Sequence, residues 1–300
     1  MVRRVRTGLG GQGLTTLSTF ADVERFAAMG TRVELHRFGA GETNALAVAR
    51  RTIEAVDDAL TIHRPSPTTA VNERLMAGQD AAIDDPVLLD ALMAIEEAYA
   101  ATLGLFDPAA DRRFASDGWG NVTFDRMTAR IAAARPVGLD FGGFGKGFAL
   151  DRACAALRLA GVGSACLSAG ESSIAVVGQH PLGGGWPFAI PHPSWPDQML
   201  IELELDDESL SISSTVGAGT QAPERAATIR PGDGMAVTGA RCTAVIDRLG
   251  ARAEAMSTAL IVADDARAAL LIGERPTHRF LFDLSQGAPV PAPSARMQLQ

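Results

Sequence analysis

The stretch from Leu139 to Asp151, LDFGGFGKGFALD, constrains this chain more than any other. Gly142, Gly143, Gly145 and Gly147 surround Lys146 there and permit backbone conformations and close ligand approaches that other residues forbid. Beyond them Leu150, Ala153, Cys154 and Leu157 recur at i, i+3, i+4 and i+7, which predicts a helix from near Gly147 to near Gly161. A glycine loop that feeds a helix N-terminus gathers free N–H groups at the positive end of the helix dipole, a combination suited to anions. Lys146 is the one lysine of a chain that otherwise draws its positive charge from arginine. Its ammonium is a compact, mobile point charge, whereas a guanidinium is a planar fork. A purely structural turn fits the pattern too, because most glycine turns before helices hold no phosphate, and GGFGKG matches neither GxGxxG nor GxxxxGK followed by Ser or Thr.

Three hundred residues at 47% apolar and 21% charged composition can bury a large core, as one big domain or two lobes. The formal charge of −8 argues against a nucleic-acid or anionic-membrane surface, which needs a basic face. An anionic ligand must therefore be met locally, by the glycine loop, Lys146, single arginines or a bound cation. Cys154, Cys166 and Cys242 are odd in number and sit in apolar contexts, so they are expected as reduced core residues. The opening MVRRVRTGLGGQGLTTL is too polar for a signal sequence, no lipid-acceptor cysteine follows it, and no run approaches 18 apolar residues. A cytoplasmic protein is the expectation.

Along the chain, residues 1 to 22 predict a flexible arm, with order beginning near Phe26. Alternation predicts a strand over residues 31–38, and Ala49, Ile53, Val56 and Leu60 mark a helix. IHRPSPTTAVNERL is expected as a Pro-interrupted loop carrying His63 and Arg64. Asp85-Pro86 opens a helix with Leu88, Leu92, Ile95 and Tyr99 on its buried face, stopping at Gly104. Strands are expected from Ser164 to Ser168, through Ile174 and Val177, and from Met199 to Leu205, the last with Leu210 to Ser213 as hairpin mate. Residues 216–240 are a long, poorly patterned loop. Ala244 to Ile246 and Phe280 to Phe282 complete the strands, a helix covers Ala253 to Val262, and residues 288–300 form a flexible, Pro-rich tail.

Glu254 and Thr258, four apart on one helix face, have the hard oxygens that Mg²⁺ prefers, although such a pair is far more often ordinary surface. LDFGGFGKGFALD, LSAGESS and AEAMSTALIV, in that order, resemble the motif series of the FAD:protein FMN transferases, the ApbE family. MGT at 29–31 and LGLFDP at 103–108 resemble its two N-terminal motifs, and the resemblance runs from Phe26 to about Asp283. It implies an α+β, two-lobed fold around a mainly antiparallel sheet with flanking helices, and a single catalytic, flavin-binding domain over residues 23–287. It also implies FAD as substrate, Mg²⁺ on its pyrophosphate, and transfer of FMN to a Thr or Ser of a partner flavoprotein with release of AMP.

Carried over by residue, the resemblance puts Met29, Leu105, Phe106, Asp107, Gly142, Gly143 and Glu171 at the cofactor site, with His63 where many members have Tyr. Lys146 would face the flavin phosphates as the catalytic residue. The Gly145 backbone oxygen, Glu254, Ser257 and Thr258 would form the metal shell. Two departures stand out. Glu254 occupies a position where Asp is usual, and the family's HxxDP element aligns with Ala227-Thr228-Ile229-Arg230-Pro231, which lacks both the His and the Asp. The alternatives this leaves are hydrolysis of FAD to FMN and AMP, or flavin binding with weakened catalysis.

Overall fold

The computed structural model describes residues 21–110, 118–193, 195–216 and 228–285. Residues 1–20 of the expected arm, the expected tail and Ala227 lie outside these. In chain order the elements are β1 (Ala21–Ala28), β2 (Thr31–Phe38), α1 (Ala45–Leu60), α2 (Pro67–Met76), β3 (Ala81–Ala82) and α3 (Pro86–Ala101). Next come β4 (Val122–Asp125), β5 (Arg130–Ala133), α4 (Gly145–Leu159), β6 (Ser164–Ala169), β7 (Ser173–Val177), β8 (Trp186–His192) and β9 (Trp195–Leu205). The chain closes with β10 (Ser209–Ser214), β11 (Arg241–Asp247), α5 (Gly250–Val262), α6 (Asp265–Glu274) and β12 (Arg279–Asp283).

A seven-stranded sheet in the order β1-β2-β6-β7-β10-β11-β12 forms the centre, and every neighbouring pair in it is antiparallel. On one face lie α4 and α5, with α1 against α4 and β1. Val33, Leu35, Ala165, Leu167, Ala175 and Val177 of the sheet share one core with Ile53, Leu150, Leu157, Ala253 and Leu260 of these helices. Ile131 of the small three-stranded sheet β3-β5-β4 belongs to the same core, so the two sheets meet without a break. The β8–β9 hairpin covers the opposite face through a second core that includes Trp186, Ile190, Leu205, Leu210 and Ile246. This mixed architecture around an antiparallel sheet is the fold class the sequence implied.

Several local expectations are corrected. Strand β1 begins at Ala21, within the expected arm and ahead of Phe26. The Pro-interrupted segment holds helix α2: Pro67 sits in its first turn, and Ser66 makes a reciprocal capping box with Thr69. Those prolines therefore start a helix rather than break one. Strand β9 pairs with β8, while β10 is bonded to β7 and β11, so the expected hairpin of 199–205 with 210–213 does not form. Alternation in β9 reports one wet face but not the partner. Ser209, Leu210 and Ser211 are buried on both sides of β10, as an interior strand requires. Strand β8 carries Pro187 and Pro191, and its register shifts at Ile190, Pro191 and His192, so its pattern gave no strand signal.

Candidate active site at a helix junction

Helices α4 and α5 touch backbone to backbone at their first turns. A methyl group on Gly147 would lie 2.2 Å from the Gly250 carbonyl oxygen, and one on Gly250 would lie 2.9 Å from the Gly147 oxygen, so only glycine fits at both places. Leu249, at the N-cap of α5, gives that helix no side-chain cap. Asp151 of α4 supplies the cap from outside, accepting the N–H groups of Gly250 (2.6 Å) and Ala251 (3.0 Å). Burial pushes the Asp151 carboxyl up to about 7, opposed by its two backbone N–H partners and reinforced by the charges of Glu254 and Asp247.

This crossing aims Glu254 back at the glycine loop. Its carboxylate, in a residue 3% exposed, accepts the Gly147 N–H on Oε2 (2.9 Å), lies 2.8 Å from Lys146 Nζ on Oε1, and takes the Ser173 hydroxyl on Oε1. One turn further along α5, Thr258 meets the same loop. A methyl group on Gly143 would lie 2.8 Å from Thr258 Oγ1, so glycine there lets the hydroxyl reach the loop backbone. The Met29 side chain presses on Gly145 from the turn between β1 and β2. Phe106 stacks on Phe144 at 6.1 Å between ring centres, and Phe144 on Phe148 at 5.3 Å. Lys146, Glu254, Thr258, Gly143, Gly145, Met29 and Phe106 are thus brought together.

Other expected site residues are placed differently. The Ser257 hydroxyl lies 2.9 and 2.8 Å from those of Ser211 and Ser213 and donates to the Glu254 carbonyl oxygen. It therefore ties α5 to β10. Asp107 accepts the N–H groups of Ala109 and Trp119, which folds its own loop, and burial raises its pKa. His63 is exposed, and its backbone N–H bonds to Thr61. Glu171 is exposed at positive φ in the turn after β6, where Gly170 packs on Thr31. Gly142 is exposed and bonds to Asp140. Leu105 and Arg230 line a cavity of about 640 Å³ at the C-terminal end of α5, with Val237, Arg241, Ile261 and Arg267.

Sequence reasoning missed Asn72. Its side chain donates to the Leu139 carbonyl (2.8 Å) and accepts the Leu139 N–H (2.7 Å), clamping the start of the glycine loop to α2. A capping box just ahead of it, Ser66 with Thr69, was the available signal.

Residues of all five motif segments thus meet around the glycine loop that carries Lys146 at a helix N-terminus. The sequence profile of the ApbE family matches residues 29–282. The chain belongs to the ApbE family. No curated relative matches it. Among solved structures, the ApbE protein of Thermotoga maritima superposes with a TM-score of 0.75 at 19% identity, covering 87% of this chain and 93% of that one. The apo flavinyl transferase ApbE of Pseudomonas stutzeri gives 0.69 at 22% identity, with 85% and 89% covered. The flavin transferase ApbE of Vibrio cholerae gives 0.70 at 16% identity, with 88% and 98% covered. At these identities the likeness concerns the fold. Among the described residues, no three His, Cys, Asp or Glu side chains cluster as a metal site, and no helix is long and apolar enough to cross a membrane.

Proposed function

We propose that this ApbE-family protein transfers FMN from FAD to a Thr or Ser hydroxyl of a partner flavoprotein and releases AMP. The observation that carries the reading is the Lys146–Glu254 pair on the glycine-loop helix N-terminus beside Thr258. In the reaction the acceptor oxygen bonds to the flavin-side phosphorus, the bond from that phosphorus to the bridging oxygen breaks, and AMP leaves with the bridging oxygen. Charge on the phosphates is met by the Lys146 ammonium and the dipole of α4, which is where phosphoryl transfer gains most of its rate. Phe106 and Met29 hold the loop from behind, and Asn72 fixes where it begins.

The donors present fit Mg²⁺, which takes hard oxygens and one or two carboxylates together with waters and substrate phosphates. Glu254, Thr258 and the Gly145 backbone oxygen would hold it. When bound, it would neutralise pyrophosphate charge.

The acceptor hydroxyl must also lose a proton, and Arg230, in the aligned HxxDP segment, is paired with Asp233 at 3.0 Å. General-base assistance supplies about 10²- to 10⁴-fold in rate, so its loss favours slow transfer, or hydrolysis by water, as the second reading. Ala227→His, alone or with Arg230→Asp, should then raise turnover. The deciding experiment incubates the protein with FAD and Mg²⁺, measures AMP, and weighs a Thr- or Ser-containing acceptor for added FMN. AMP with a mass gain supports transfer, AMP alone supports hydrolysis, and no AMP at any enzyme concentration removes both.

A further inference from the structure

Glu254 is a buried carboxylate whose charge is answered by the Lys146 ammonium at 2.8 Å, with the Gly147 N–H and the Ser173 hydroxyl on the same group. A carboxylate offers about four acceptor positions, so these three donors nearly fill it. Resting on the reading of this site as one for a flavin pyrophosphate and a divalent cation, we infer that Lys146 and the cation are competing partners of Glu254. The lysine keeps metal off the carboxylate until a pyrophosphate arrives to receive its ammonium.

The argument is one of charge balance in a poorly solvated place. Without ligand, one carboxylate faces one ammonium and the pair is neutral. A divalent cation added alone would place two further positive charges beside that ammonium. Asp151, the neighbouring partly buried acid, has its oxygens committed to the Gly250 and Ala251 N–H groups. Unbalanced charge of this kind is costly where water is excluded. A pyrophosphate diester brings two negative charges, so cation, ammonium, carboxylate and pyrophosphate together are neutral again. The lysine is free to make the exchange. Its side chain is 22% exposed, and it sits on a flexible stem in the first turn of α4, at the positive end of that helix's dipole. Metal and flavin should therefore bind as a mutually dependent pair, each raising the affinity of the other by the same factor.

The test titrates Mn²⁺, read by electron paramagnetic resonance, into the flavin-free protein and into Lys146→Met, Lys146→Arg and Lys146→Met/Glu254→Gln, with folding followed by circular dichroism. Lys146→Met should bind Mn²⁺ alone at least about tenfold more tightly than the unmodified protein, Lys146→Arg should bind it as weakly as the unmodified protein, and the double variant should lose it. On the unmodified chain, FAD should raise Mn²⁺ affinity at least about tenfold beyond that of FAD in solution, and Mn²⁺ should raise FAD affinity equally. The second measurement needs no variant to fold. Mn²⁺ binding that is no tighter in a folded Lys146→Met, that is undetectable in every protein, or that is independent of FAD in an unmodified chain shown to bind FAD overturns the inference. If FAD binds none of these proteins while the Mn²⁺ pattern holds, the flavin reading fails and the competition stands.

Discussion

The two ends of α5 are built on different principles. At its N-terminal end, Gly147 and Gly250 touch through bare backbone, and the carboxylates of partly buried Asp151 and buried Glu254 have each oxygen assigned to a donor. At its C-terminal end, the segment from Thr228 to Gly239 lines a cavity with Arg230 and Asp233 half exposed, and an isolated bridge between Ile229 and Ala236 is its one strand-like pairing among the described residues. Buried charge demands fixed geometry, because an unpaired group there costs its full desolvation. Exposed ion pairs are worth little, so the second end can vary its cavity wall at small cost to the fold. Charge handling thus belongs to the rigid end, and shape to the adaptable one.

Glycine substitution should break this contrast most sharply. Gly147→Ala forces a methyl into the Gly250 carbonyl and is expected to cost about 3 kcal/mol, lowering Tm by on the order of 10 °C in thermal unfolding. Gly239→Ala, whose nearest neighbour is the Arg241 side chain at 3.7 Å, should stay within about 0.5 kcal/mol. Equal effects from the two would mean that the helices do not meet as described.

A pH series probes the same junction through Asp151. Its ordinary value of 3.8 rises to about 7 in the fold, so the folded chain keeps a proton that the unfolded chain has released. Its contribution is therefore fully present at the acid end, declines as pH rises from about 4 to about 7, and is flat above. Asp151→Asn should abolish that slope relative to the unmodified protein when Tm is measured from about pH 5 to about pH 8. Parallel curves would show that Asp151 is not held in this environment.

Asn72→Ala removes both bonds to Leu139 and should cost about 2 kcal/mol, while weakening FAD binding more than an exposed substitution of equal stability cost. An unchanged FAD affinity would show that the loop holds its shape without the clamp. The smallest effect is expected at the other end of α5. Arg230→Ala breaks a half-exposed pair and should change stability by under about 1 kcal/mol, as a denaturation midpoint will report.

Local pattern was enough for elements whose cause is local. The Asp85-Pro86 start of α3, the 3.6-residue stripe of α4 and the alternation of β2 are each dictated by neighbours in sequence, and each element stands within a few residues of where it was expected. The glycine loop, its lysine and the Glu254–Thr258 spacing were legible for the same reason. Only the tertiary structure decided which strand partners β9 and that Asp151 caps α5 from α4. It also decided that Ser257 turns to β10 while Glu254 turns to Lys146. The Asp151 cap and the placing of Ser257 and Glu254 depend on the packing of residues 44 to 107 positions apart, as with Ser213 and Ser257 or Gly147 and Glu254. Sequence periodicity reports which face of an element is buried, but not what lies across from it.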